Sequence, residues 1–107
     1  MLMLADLNDA TFRDFVKKHR LALVDFYADW CGPCHAMKPV LDELSQEMKG
    51  KISFAKINVD QNRQSSMEYG VMSIPTMLVF RAGKLVDRLV GALPKETLKQ
   101  RLGKFIE

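Results

Sequence analysis

Only two cysteines, Cys31 and Cys34, occur in 107 residues. A disulfide framework of the kind that staples small secreted domains is thereby excluded, and any sulfur chemistry falls on this one pair. No stretch approaches the ~18 consecutive apolar residues that a membrane helix needs. The opening MLMLADLND carries no basic region and meets Asp6 and Asp9 at once, which speaks against a secretory leader. Sixteen basic residues against 13 acidic ones give a net charge of only +3, with no Lys/Arg cluster of five or more. Neither nucleic acid nor membrane is therefore expected as a partner, and a cytoplasmic, reducing compartment is the default. Repeats, low-complexity tracts and linkers are also missing. What remains is a composition of 48% hydrophobic and 27% charged residues, ordinary for a globular chain. One domain over residues 1–107 is expected, burying roughly 60–70% of the unfolded surface.

The chain opens on a short apolar start (Leu2 to Leu4). LNDATFRDFVKK then reads as a helix with Asn8 as N-cap and Leu7 stapled to Phe12 across it. LALVDFYA, Leu21 to Ala28, is apolar on both faces and suits a central buried strand. The next helix begins within the cysteine stretch. Its apolar positions Met37, Val40, Leu41, Leu44 and Met48 fall at helical spacing, Gly50 stops it, and Pro39 predicts a kink. KISFAKINVD reads as another strand leading to Asp60 as a helix cap, and a short helix ends at Gly70. TMLVF and KLVDRLV make a hairpin around Arg81-Ala82-Gly83-Lys84. Pro94 opens a last helix striped with Leu98, Leu102, Phe105 and Ile106. That order predicts an α/β fold, a central mixed β-sheet flanked by helices on both faces.

WCGPCH, Trp30 to His35, admits three readings: haem attachment through Cys-x-x-Cys-His, a zinc site, or a thiol–disulfide couple. Haem needs a largely helical shell and a second axial ligand, and here the pair follows a buried strand in a strand–helix–strand unit. Zinc needs four ligands, and only His19, at the far end of that strand, and His35 could join the cysteines. The redox couple fits. Helix positions i and i+3 lie about 5–6 Å apart, within disulfide reach. The positive end of the helix favours a thiolate on Cys31, while Cys34, a turn deeper, keeps its proton longer. Cys31 is thus the expected nucleophile and Cys34 the resolving thiol, with Pro33 stiffening the turn. No metal is expected.

In these blocks the sequence resembles the thioredoxin family. VDFYADWCGPCHAMKP is similar to its active-site segment and FAKINVDQN to its third strand. YGVMSIPTMLVF is similar to the loop and strand facing the site, and VGALPKETL to the entry of the last helix. The blocks occur in the family's order and span nearly all of Leu21 to Leu102. The resemblance implies a thioredoxin fold and a buried proton acceptor, Asp25, serving Cys34; a carboxyl among Leu23, Val24 and Phe26 is desolvated and its pKa rises. It implies that Lys56, otherwise an ordinary strand lysine, modulates Asp25, and that Pro75 is cis. It further implies a substrate-binding patch of Trp30, Gly32, Pro33, Ile74, Pro75, Gly91 and Ala92, although Trp30 alone reads equally as core. Met37 and Met77 are expected near the site. The chain departs from the family at His35 (usually Lys or Arg), at Tyr27 (often Trp) and at Ser73 (often Gly).

The expected activity is that of a protein dithiol–disulfide oxidoreductase reducing target disulfides through a mixed-disulfide intermediate. By resemblance it needs no bound cofactor, takes reducing equivalents from a thioredoxin reductase, and acts as a monomer. Its targets would include ribonucleotide reductase, peroxiredoxins and methionine sulfoxide reductases. Two rivals remain: an oxidase or isomerase on the same fold, which the Gly-Pro dipeptide disfavours, and a binding scaffold with incidental thiols, which has no need of Asp25.

Overall fold

The computed structural model describes residues 4–106. Nine elements follow in order: β1 (Leu4–Leu7), α1 (Phe12–Lys18), β2 (Leu21–Tyr27), α2 (Gly32–Glu47), β3 (Ser53–Asn58), α3 (Arg63–Glu68), β4 (Thr76–Arg81), β5 (Lys84–Val90) and α4 (Lys95–Gly103). The strands form one sheet in the order β1-β3-β2-β4-β5. β3 lies parallel to both β1 and β2, whereas β4 runs antiparallel to β2 and β5. A register shift at Val79/Phe80 interrupts the β4–β5 ladder.

β2 is central, and its alternating side chains feed two cores. Leu21 and Leu23 join Met37, Leu41 and Leu44 of α2 and Leu98 and Leu102 of α4. Ala22, Val24 and Phe26 join Phe12, Phe15 and Val16 of α1, with Tyr69 at the end of α3 packed alongside. Helices therefore cover both faces, as expected for a mixed sheet whose central strands have no wet side. The same period of two places Asp25 on the α2 face.

Several boundaries differ from the sequence reading. The apolar start lies mainly outside the described residues, and Leu4–Leu7 forms an edge strand instead of leading straight into a helix. α1 starts at Phe12 rather than next to Asn8. Asn8 still caps, since its Oδ1 accepts from the backbone of Ala10 and Thr11, but what it closes is an intervening turn. Asp60 does not cap α3, whose N-cap position is Asn62. The carboxylate of Asp9 accepts from the backbone and hydroxyl of Ser65 in the first turn of α3, at 2.8 and 2.7 Å. Burial raises the pKa of Asp9, and the hydrogen bonds from Ser65 and Gln64 outweigh it and hold the group below its usual value. Pro94 is the N-cap of α4, and Phe105 and Ile106 lie past its end, half-buried against the core. α2 runs unbroken through Pro39 and ends at Glu47, before Gly50. In the hairpin turn both Ala82 (φ 50°) and Gly83 (φ 85°) are left-handed.

Candidate active site

The site lies where β2 ends and α2 begins. Cys31 is the N-cap of α2, and its Sγ accepts the backbone N–H of Cys34 at 3.2 Å. A sulfur in that role faces the unpaired donors of the first turn, the placement that lowers a thiol's pKa in the reduced state. The two cysteines are joined as a disulfide with Cα atoms 5.3 Å apart. Both are buried, Cys31 at 4% and Cys34 at 2% exposure, so area separates them little. What differs is what they face. Cys31 Sγ lies 3.9 Å from the carbonyl oxygen of Ile74, in the loop before β4. Cys34 lines a cavity shared with Asp25, Tyr27, His35, Lys38 and Lys56.

Asp25 is 5% exposed, and its Oδ1 has no hydrogen-bond partner. Desolvation pushes its pKa up to about 7, against an opposing pull from the Lys56 charge. Lys56 is the register partner of Asp25 across the parallel β2–β3 pair, and its Nζ stands 5.6 Å from the centre of the Tyr27 ring. Asp25 and Lys56 therefore share the cavity wall with the second cysteine.

The Ile74–Pro75 peptide bond is cis, as the resemblance implied. Pro75 is buried, and its carbonyl accepts from Gly91 N at 2.8 Å, tying the loop after β5 to the loop before β4. Gly91 has φ 91°, a conformation that suits glycine. Gly32 and Pro33 stand exposed between the cysteines, and Ala92 is exposed beside Gly91. Trp30 is not core: it is 72% exposed and shares an apolar groove with Ile74, Val59, Val71, Met72 and Ser73.

The sequence model of the family described as Thioredoxin matches residues 3–104. The chain belongs to the thioredoxin family. It is 47% identical over 103 residues to Thioredoxin 1 of Nostoc sp., covering 95% of this chain and 96% of that protein. It is 46% identical over 101 residues to the Thioredoxin of Synechocystis sp., covering 94% of each. Among solved structures, a single-substitution mutant thioredoxin from Halobacterium salinarum NRC-1 superposes with a TM-score of 0.90 at 33% identity, over 96% of this chain and 90% of that one. The chain thus has the thioredoxin fold and, with its Cys31–Cys34 pair, is a dithiol–disulfide oxidoreductase.

Three features of this thioredoxin escaped the sequence reading. Asp60 accepts the Trp30 Nε1–H at 2.8 Å, so the residue expected to cap α3 tethers the exposed indole instead. Met72, 94% exposed, lines the Trp30 groove, while Met37 and Met77 lie near the site as expected, one turn past Cys34 in α2 and opposite Asp25 across the β2–β4 pair, both buried at 1% and 0% exposure. Met37 serves the site only indirectly, its Sδ accepting from Leu93 N at 3.4 Å. Finally, His35 is exposed but held, with Nε2 2.6 Å from the Asp29 carbonyl oxygen. A carbonyl only accepts, so Nε2 carries the proton of that contact. Tryptophan's need for an acceptor for its indole N–H and methionine's tolerance of exposure were the available hints, and neither names a partner.

Proposed function

We propose that the protein works in the reducing direction, on disulfides of other proteins. The Cys31 thiolate attacks a target disulfide, forming a mixed disulfide and releasing one target thiolate. Cys34 then loses its proton to Asp25 and attacks Cys31 Sγ. That bond forms as the mixed disulfide breaks, the second target thiolate leaves, and Cys31–Cys34 becomes the disulfide. The observation that carries this reading is the buried, unpartnered Asp25 carboxyl in the cavity of Cys34, titrating near neutrality where a proton acceptor is useful. Lys56 tempers Asp25. Trp30, Gly32, Pro33, Ile74, Pro75, Gly91 and Ala92 receive the target segment around Cys31, with the Ile74 carbonyl that faces Cys31 as the acceptor for an extended peptide.

On this reading residues 1–107 act as one thioredoxin domain, and a thioredoxin reductase restores the dithiol without any cofactor bound to this chain. Ribonucleotide reductase, peroxiredoxins and methionine sulfoxide reductases are the target classes, met in the cytoplasm by a monomer taking part in electron transport and redox homeostasis. No described helix is long and apolar enough to cross a membrane. The test is trapping. Cys34→Ser accumulates mixed disulfides with protein substrates, seen as reductant-sensitive conjugates, while Cys31→Ser forms none and does not reduce insulin. A Cys34→Ser variant that traps nothing would overturn the assigned roles.

A further inference from the structure

The net charge of +3 conceals a strong asymmetry along the strands. Four segments close the end of the sheet away from the cysteines: 17–21 entering β2, 48–52 entering β3, 81–84 between β4 and β5, and 103–106 at the end of α4. They carry Lys17, Lys18, Arg20, Lys49, Lys51, Arg81, Lys84 and Lys104, eight of the chain's 16 cations, and no Asp or Glu. The loops at the cysteine end show the reverse. Residues 8–11, 28–30 and 59–62 contain Asp9, Asp29 and Asp60 and no Lys or Arg.

Contacts bring the basic segments together. Ala82 N donates to the Arg20 carbonyl at 2.9 Å, Arg81 donates to the Phe105 carbonyl at 3.2 Å, and Gly83 packs on Lys17. Arg20, Lys51 and Arg81, from three different segments, ring one hollow walled by Leu21, Phe105 and Ile106. Among the described residues none of the eight forms a salt bridge, whereas Lys95, Lys99, Arg101 and Arg13, on the helices, all do. Placing Lys17, Lys18 and Lys104 at helix ends complements the helix dipoles. Arg81 is also held locally, its guanidinium 5.5 Å from the centre of the Phe105 ring, which leaves Arg20, Lys49, Lys51 and Lys84 unexplained by local structure among the described residues.

We infer that this basic end is a binding site for a flexible phosphate-bearing polyanion, whose chain lays one phosphate in the Arg20–Lys51–Arg81 hollow and others against the surrounding lysines. Two arginines and a lysine supply forked and point-charge donors suited to phosphate oxygens. A planar bilayer would leave the hollow unfilled. The only tryptophan lies at the other end and Phe105 is half-buried, so the surface offers no exposed aromatic platform on which nucleobases could stack. Inorganic polyphosphate is therefore the probe. The occupied end faces away from Cys31, so binding leaves the redox site open.

The experiment is fluorescence anisotropy of labelled short-chain inorganic polyphosphate with the full chain. Neutralising about five phosphates predicts a binding constant about 100-fold weaker at 200 mM than at 50 mM salt. R20Q/K51Q/R81Q weakens binding by about tenfold or more, and K17Q/K18Q/K84Q, which spares the Arg81–Phe105 contact, also weakens it. R13Q/R63Q/K99Q removes the same net charge elsewhere and leaves binding within about twofold. Insulin reduction is unchanged in all three. Absence of binding at 50 mM salt, or equal losses in the control triple, would overturn the inference. So would tighter binding of an oligonucleotide at equal phosphate number, of phosphatidylglycerol vesicles, or of polyphosphate only to E107Q, which would assign the hollow to the chain's own carboxylate.

Discussion

Asp25 shows what one carboxyl does when strand alternation turns it inward. A surface aspartate would be ionised throughout the physiological range, but this one is pushed to about 7 by burial. Its folded-state pKa stands above its unfolded value near 3.9, so protonation favours the native state. Stability relative to an isosteric neutral residue is present at about pH 4 and is lost as pH rises to about 7. Asp25→Asn is thus expected to raise unfolding stability by up to about 4 kcal/mol at pH 8 and by little at pH 4, measured by denaturant titration of the oxidised protein. An equal gain at both values would mean that the carboxyl is ionised or neutral throughout. The same variant slows release of the mixed disulfide. Stability and chemistry oppose each other at this residue, and the chain retains the costly group.

At the scale of elements, local signals set what could be read in advance. β2 announces itself by an apolar run interrupted only at Asp25, α2 by its 3.6-residue stripe, and the β4–β5 hairpin by the turn between two strand patterns. Cys31 and Cys34 were legible because they are neighbours in sequence and in space, and the burial of Asp25 because the residues beside it in β2 are apolar, its role having come from the family resemblance. What stayed hidden depends on distant partners. β1 has four residues and draws its ladder from β3 about fifty positions away. α3 receives its capping carboxylate from Asp9, and Asp60 looks like a cap until the Trp30 indole is seen to claim it. Met72 carries no periodic signal, since loop residues have no repeating face. The hairpin itself yields a prediction. Ala82 holds φ 50°, where a Cβ is strained, so Ala82→Gly is expected to stabilise the protein by about 1 kcal/mol, read from the denaturation midpoint. A loss instead would show that Ala82 contributes packing that outweighs its backbone strain.

For the molecule as a whole, the two cores lie on opposite faces of the sheet, yet each takes alternate residues of β2, β3 and β4. Neither face can melt while the other keeps its strands. Leu98→Ala, at a fully buried position of α4, is expected to cost about 2–5 kcal/mol. Unfolding followed by far-UV circular dichroism and by amide exchange of α1 residues, on the other face, is expected to remain one coincident transition. Separate transitions would divide the fold into independent layers.

The borders of the sheet differ from its centre. One rim is the four-residue β1 with Asp6 on it, and the other is β5, bearing Lys84, Asp87 and Arg88 beside the broken register at Val79/Phe80. A neighbouring molecule laid along either rim finds a ladder too short to copy or a charged, bent one. Fibrous growth by strand addition is thereby discouraged at both margins, although the strands between them are among the most apolar in the chain.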